Sequence, residues 1–316
     1  MNTVKNYLSL IKFSHTIFAM PFALIGFVLG LKLIDFNKIA VPGWHTVIFP
    51  PDFQNLLTNN IPLSKSDIII RFLLVIGCMI LARSAAMAFN RYLDRHFDAK
   101  NPRTSIREIP AGIIKADRVL WFTIICSLLF IVCTFFINRL CFSLSPVALV
   151  VVLGYSYTKR FTPLCHLILG LGLSLAPIGA YLAVTGHFDL LPILFSLAVI
   201  CWVSGFDIIY ALQDEGFDKS QKLYSIPASI GKRKALRVSR FLHVLSALFI
   251  LSAGIYGTFH WLYGIGVIVF AGMLIYQHSV VKSDDLRRVN LAFMTANGIA
   301  SVVFAVFVIA DMLING

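Results

Sequence analysis

Polar residues interrupt this chain at long intervals, and the stretches between them are apolar. A helix that crosses a bilayer needs about 20 such residues. Nine runs meet that length or come close: 14–34, 68–89, 119–137, 141–157, 164–184, 190–212, 238–257, 259–279 and 290–313. They predict an all-α, polytopic membrane protein with nine transmembrane helices, forming a single domain over 1–316. Lys5 and Lys12 precede the first run as they would a signal peptide, but no small-x-small cleavage motif follows it, so an uncleaved first span is predicted.

Lysine and arginine set the orientation. They crowd the loops after the second run (Arg91 to Arg118), the fourth (Lys159, Arg160), the sixth (Lys219 to Arg237) and the eighth (Lys282, Arg287, Arg288). The alternate loops hold Lys38, Lys65 and Arg139, and nothing basic follows the fifth and seventh runs. Basic loops stay inside, so a cytoplasmic N-terminus and an outer C-terminus are predicted for an inner or plasma membrane. The first outer loop, 35–67, carries Pro42, Pro50, Pro51 and Pro62 among aromatic residues and is predicted to lie on the membrane surface.

Two acidic patterns end two of the runs. Asp94 and Asp98 follow the second run, and Asp214 and Asp218 follow the sixth. A spacing of four stacks both carboxylates on one helix face, where they repel each other unless something positive sits between them. The recurrence hints at two four-helix halves, about 14–160 and 164–279, around a common cavity, with one helix added. An even number of spans separates the patterns, so both fall on the cytoplasmic side.

Composition agrees with membrane insertion: 58% of residues are hydrophobic and 13% charged, against roughly 25% charged in soluble domains. The net charge of +12 suits loops facing anionic lipid and phosphate. Its scatter over several short loops argues against a nucleic-acid partner. The six cysteines lie in or beside apolar runs and form no Cys-x-x-Cys, so they predict free thiols, with no disulfide, zinc or haem site.

Other polar residues gather near the acidic patterns. Arg83 lies two turns before Asn90, within an apolar run, where a charge costs at least about 2.5–3.5 kcal/mol and should face a cavity and an anionic partner. Asp207 lies the same distance before Asp214, and Tyr210 sits one turn before it. Arg103 and Arg107 follow the first pattern, Tyr155 and Lys159 end the fourth run, and Lys222 follows the second pattern. Carboxylates and cations on one rim suit a polyanion held through a metal. Mg²⁺ takes oxygen ligands from one or two carboxylates plus substrate phosphates, while arginine and lysine take the remaining phosphate oxygens. An apolar interior below the rim accepts a lipid tail. Diphosphate and tail together describe an isoprenoid diphosphate.

On these residues the chain resembles the UbiA superfamily of intramembrane aromatic prenyltransferases. The resemblance is carried by Asn90-x-x-x-Asp94-x-x-x-Asp98, by Arg103-Thr104…Arg107-x-x-Pro110-x-Gly112, by Tyr155-x-Tyr157-x-Lys159-Arg160 and by Asp207-x-x-Tyr210-x-x-x-Asp214-x-x-x-Asp218. Phe13 to Leu24 is similar to the 4-hydroxybenzoate polyprenyltransferase branch. The resemblance implies nine helices around a central cavity and Mg²⁺-dependent transfer of a polyprenyl group to an aromatic acid such as 4-hydroxybenzoate, in quinone biosynthesis. It implies Mg²⁺ ligation by Asp94, Asp98, Asp214 and Asp218 with help from Asn90. Arg103, Lys159 and Lys222 are expected at the diphosphate, and Arg83 and Asp207 near the acceptor. Arg107, Tyr155 and Tyr210 complete the expected substrate contacts. His15 is expected at the membrane interface.

Two departures touch the acceptor: Arg91 stands where the family has an acidic residue, and Arg107-Glu108-Ile109-Pro110 replaces a more usual Arg-Pro-Leu-Pro. A naphthoate-type acceptor for menaquinone synthesis therefore stays open. From another class, a cation-coupled transporter would place its carboxylates near the bilayer midplane. A CDP-alcohol phosphotransferase would need Asp-Gly ahead of Ala82-Arg83, which is absent.

Overall fold

The structure is a computed structural model that describes residues 3–11, 18–36 and 64–315. Among these, every regular element is helical. In order they are α1 Thr3–Leu10, α2 Met20–Phe36, α3 Lys65–Lys100, α4 Ala116–Ile137, α5 Arg139–Thr158, α6 Cys165–Thr185, α7 Leu190–Ala211, α8 Glu215–Ser220, α9 Ile226–Ile230, α10 Lys232–Tyr256, α11 Trp261–Val280 and α12 Asn297–Ile314. Eight helical stretches are long and apolar enough to cross a membrane, and a shorter apolar stretch, Met20–Lys32, stands at the first run. Nine runs and nine apolar helices therefore correspond. His15, the first five residues of the Phe13–Leu24 motif and nearly all of the first outer loop fall on 12–17 and 37–63, outside the described residues.

The differences have local causes. The first helix starts at Met20 rather than near residue 14; Pro21 sits in its first turn, where a missing N–H costs nothing. The second runs on past Phe89 to Lys100, over 36 residues. At 1.5 Å per residue it spans roughly 54 Å, well beyond a hydrocarbon core of about 30 Å. Its last turns, which carry the first acidic pattern, therefore project past that core. Ser64 and Asp67 cap its start reciprocally. The fourth run, short in sequence, gains length because Asn138 caps Arg139–Thr158, its side chain accepting from the Cys141 N–H at 2.8 Å.

Packing is uneven around the bundle. α7 is embedded deepest: Phe195, Trp202 and Ile208 are fully buried. Around Trp202 gather Phe22 of α2 and Phe270 of α11, with ring centroids 5.4 and 5.7 Å away, and Phe304 of α12 packs on Phe22 and Phe270. α2 packs on both α6 and α12, which links the first helix to the last. It lies close against α6 because Gly26 and Gly30 share one face: a Cβ at Gly26 would overlap the Pro177 carbonyl, and one at Gly30 would lie 2.9 Å from Val184 Cβ. Small residues four apart commonly make such contacts between membrane helices. On the other side α3, α4 and α5 bury much less of their surface and present apolar side chains outward.

Asn297 shows how a polar group inside the bundle is bonded, as a bilayer demands. The Asn297 side chain accepts from Trp202 Nε1 at 2.9 Å and from Gln277 Nε2 at 2.7 Å, and it donates to the Phe293 and Ala292 carbonyls. Inserting a side chain into the carbonyl ladder loosens it, and the preceding turn, Leu291–Ala296, is a π-helix. That turn reaches the cavity described next.

Candidate active site

The C-terminal ends of α3, α5 and α7 converge on one polar cavity of about 740 Å³. Ser9 of α1 and Asn290, Phe293 and Met294 beside the π-turn complete its wall. Of the residues singled out from sequence, Arg83, Asn90, Asp94, Asp98, Arg103, Arg107, Tyr155, Lys159, Asp207, Tyr210 and Asp214 line it. Asp218 lies just behind the wall, fully buried, and is reached through Lys159. Lys222 is not brought in: it is exposed, and its φ of 54° turns the chain away after α8.

The first acidic pattern is helical, as its spacing predicts. Asn90 Nδ2 donates to Asp94 Oδ2 at 3.1 Å, one turn along α3. The second is not one continuous α-helix. α7 stops at Ala211, tightens into a 3₁₀ turn, Leu212–Asp214, and restarts as α8. Asp214 and Asp218 thus lie on two short pieces.

Each of the four carboxylates holds one cation. Arg160 Nη2 lies 3.2 Å from Asp94 Oδ1, Arg107 Nη1 lies 2.7 Å from Asp98 Oδ1, and Lys159 Nζ lies 2.7 Å from Asp218 Oδ1. Arg103 grips Asp214 with both arms of its fork, Nε to Oδ1 at 3.0 Å and Nη2 to Oδ2 at 2.5 Å. This is the bidentate geometry that arginine alone provides. Asn101 steadies the pair: its Oδ1 accepts from the Arg103 N–H at 3.0 Å, and its Nδ2 donates to Asp214 Oδ1 at 3.3 Å. Arg103 also donates to the Tyr210 hydroxyl at 3.0 Å, and Tyr210 stacks near Phe293. The loop after α3 is therefore bonded directly to the second acidic turn.

Electrostatics favour the charged form of two of them, Arg103 and Lys159. Burial works against the charge of Arg103, but its hydrogen bonds to Asp214 outweigh that and raise its pKa above the usual value. Burial likewise opposes the Lys159 ammonium, and the Asp218 carboxylate more than offsets it, so its pKa is raised.

The donor set suits a hard divalent cation. It consists of carboxylates plus one amide oxygen, the preference of Mg²⁺. Asp98 Oδ2 is buried with no hydrogen-bond partner among the described residues, which leaves a charged oxygen available for ligation. Asp94, Asp98 and Asp214 face the same cavity, with Asn90 beside them, but each is drawn to its own cation, and among the described residues no three acidic, histidine or cysteine side chains stand close enough together to hold one ion.

Below this rim lies a second cavity of about 380 Å³, lined chiefly by apolar side chains of α3, α4, α5 and α6. The two share Arg83, Met87, Tyr155, Leu169 and Leu173. Arg83 therefore sits at their junction. No ion pair engages it among the described residues, and its buried Nε has no hydrogen-bond partner.

Residues 63–299 match the profile of the UbiA prenyltransferase family. The chain belongs to that family. It is a membrane-embedded prenyltransferase. It is 28% identical over 243 residues to a protein named 4-hydroxybenzoate octaprenyltransferase in Francisella tularensis subsp. novicida, covering 77% of this chain and 85% of that one. A protein of the same name in Aeromonas salmonicida is 29% identical over 240 residues, covering 76% and 82%. Among solved structures, a UbiA homologue from Aeropyrum pernix superposes with a TM-score of 0.72 at 25% identity, covering 95% of this chain and 98% of that one. A homologue from Archaeoglobus fulgidus, bound to DMAPP and Mg²⁺, gives 0.67 at 18% identity, over 98% and 99%; at that identity it speaks for the fold alone. The transporter alternative loses its ground, since the carboxylates stand at helix ends rather than mid-span.

Sequence reasoning gave no site role to three groups here. Arg160 was noted only as half of a basic pair, yet it holds Asp94. Arg91 is buried to 4% exposure beside the site. His166, on α6, faces Asp207 at 2.6 Å. A polar residue inside an apolar run is itself a signal; that rule singled out Arg83 and Asp207 and applied equally to His166.

Proposed function

We propose that this enzyme transfers a polyprenyl group from an isoprenoid diphosphate to an aromatic carboxylic acid such as 4-hydroxybenzoate, with Mg²⁺ as cofactor. The observation that carries the reading is the junction of the two cavities: a rim of paired carboxylates and cations opens into an apolar chamber, with an unpaired arginine between them. The names of the curated relatives, and the Mg²⁺ and prenyl diphosphates bound to the Archaeoglobus homologue, support the same substrates.

Asp94, Asp98 and Asp214, with Asn90, would hold the metal, which when bound neutralises charge on the leaving diphosphate, while Asp218, behind the wall, holds Lys159 in place. Arg103, Arg107, Lys159 and Arg160 take its phosphate oxygens. The C1–O bond of the prenyl ester breaks with its electron pair going to the diphosphate. The allylic cation is kept from water by the apolar chamber and is attacked by the ring carbon, and the ring proton then passes to the released diphosphate. Arg83, at the mouth of that chamber, pairs with the acceptor carboxylate.

The test is a panel of hydroxybenzoic and hydroxynaphthoic acids offered to purified protein with Mg²⁺ and one radiolabelled polyprenyl diphosphate. A prenylated acid is expected, and its identity separates the benzoate from the naphthoate reading. No lipid-soluble product with any acid would defeat the proposal. The basic loops support a cytoplasmic site in an inner or plasma membrane; an alkaline phosphatase fused after Gly316 should be active outside the cell, and an inactive fusion would reverse that orientation.

A further inference from the structure

Asp207 enters the cavity wall with one carboxylate oxygen already engaged. His166 Nδ1 lies 2.6 Å from Asp207 Oδ2, with the histidine side chain 4% exposed and the aspartate 23%. The other ring nitrogen, Nε2, accepts from the Ile226 backbone N–H over 3.4 Å. Facing a carboxylate oxygen, Nδ1 carries a proton and donates it to Asp207. The two helices reach each other because Gly170, one turn beyond His166, has no side chain. A Cβ there would lie 2.6 Å from both the Ile200 carbonyl and Ser204 Oγ of α7.

The far side of the ring is anchored too. Ile226 follows Ser225, whose Oγ donates to Asp218 Oδ2 at 2.9 Å and accepts from the Ala228 N–H at 3.2 Å. One imidazole thus spans from the cavity-wall carboxylate to the turn that holds the buried aspartate of the second acidic pattern. Asp207 Oδ1 has no hydrogen-bond partner among the described residues and belongs to a side chain that lines the cavity.

We propose that His166 is a positioning residue for the acceptor. It holds Asp207 in one rotamer, so that the free carboxylate oxygen accepts a hydrogen bond from the hydroxyl of the aromatic acid. Arg83 on α3 takes the carboxylate of that acid, and Asp207 on α7 takes its hydroxyl. This inference rests on the proposed function.

The experiment compares His166→Leu, His166→Asn and His166→Gln with the wild-type enzyme, using 4-hydroxybenzoate and its 4-methoxy analogue. The corresponding hydroxy- and methoxynaphthoic acids replace them if wild-type takes the naphthoic acid. A charge-assisted hydrogen bond accounts for roughly 10- to 100-fold in discrimination. His166→Leu is expected to lower kcat/KM for the hydroxy acid by about that factor and to lose the preference over the methoxy acid. Its KM for prenyl diphosphate should stay within about twofold, because Ser225 and Lys159 still hold Asp218 when the imidazole is gone. His166→Asn can place an amide N–H where Nδ1–H stands and should restore most of the loss; His166→Gln, whose donor sits further out, should not. If His166→Leu fails to fold, the Asn and Gln pair carries the same contrast. Unchanged acceptor kcat/KM in the Leu variant, equal damage in Asn and Gln, or parallel shifts in both substrates' KM would each overturn the inference. A wild-type enzyme that prenylates no acid would instead defeat the function reading, and this inference with it.

Discussion

The two acidic turns share a spacing and little else. The first lies on the end of a single 36-residue helix, with Asp94 the most exposed of the four carboxylates, its side chain 26% accessible. The second straddles a 3₁₀ turn and a six-residue helix, and Asp218 is wholly buried between Lys159 and Ser225. The cations are just as unequal. All four come from the first half of the chain: Arg103 and Arg107 from the loop after α3, Lys159 and Arg160 from the end of α5. The first half therefore brings its own carboxylates and the counter-charges for both turns, while the second half brings carboxylates and a rigid seat for them. A repeated acidic motif does not require a repeated site. Here two unlike turns are joined into one site by the reach of arginine and lysine.

The largest effect is expected from neutralising either turn. Asp94→Asn and Asp214→Asn should each reduce turnover by more than about 100-fold, since loss of even an outer partner of a metal ligand commonly costs 10- to 100-fold, while folded yield on size exclusion changes little. Normal turnover in either variant would break the equivalence of the turns. A chelator should remove activity and added Mg²⁺ should restore it; activity that survives metal removal would refute the assignment for both turns.

Removing a bridge between the halves comes next. Arg103→Ala should lower kcat/KM by roughly 10- to 100-fold, and Arg103→Lys should recover little because the fork to Asp214 is bidentate. Full recovery in the lysine variant would show that charge alone matters. The Lys159–Asp218 bridge has a pH signature. The lysine pKa is raised in the folded state above its ordinary 10.5, so its contribution to stability is complete below that pH and is lost as pH rises through the folded value. Melting curves of wild-type protein should therefore show a loss above about pH 10.5 that Lys159→Met lacks. The smallest effect belongs to Lys222, exposed and away from the wall: Lys222→Ala should stay within about twofold of wild-type, and a tenfold loss would show that the second half does contribute a cation.

Much of this was legible in the residues. The apolar runs located the helices, because a bilayer of fixed thickness imposes a length that sequence must match. Asp94 and Asp98 could be placed on one face because an unbroken helix was their only neighbour. The same argument misplaced the geometry of Asp214 and Asp218, where spacing says nothing of the helix tightening after Ala211. Lys222 was chosen by proximity in sequence, but Lys159, from another helix, fills that place beside Asp218. His166 was overlooked since its partner lies 41 residues away on α7, a contact that only the Gly170 approach makes possible. Short-range patterns reveal which groups must be satisfied; which partner satisfies them is a property of the packed bundle.

The central claim is that both acidic turns grip one diphosphate. Calorimetric binding of a non-reactive prenyl thiodiphosphate, with Mg²⁺, to the wild-type protein, Asp98→Asn, Asp214→Asn and the double variant tests it directly. Groups that act on one ligand are strongly non-additive, so each single substitution should abolish nearly as much affinity as the pair. Two partial losses that sum in the double variant would mean two independent sites and would contradict the account.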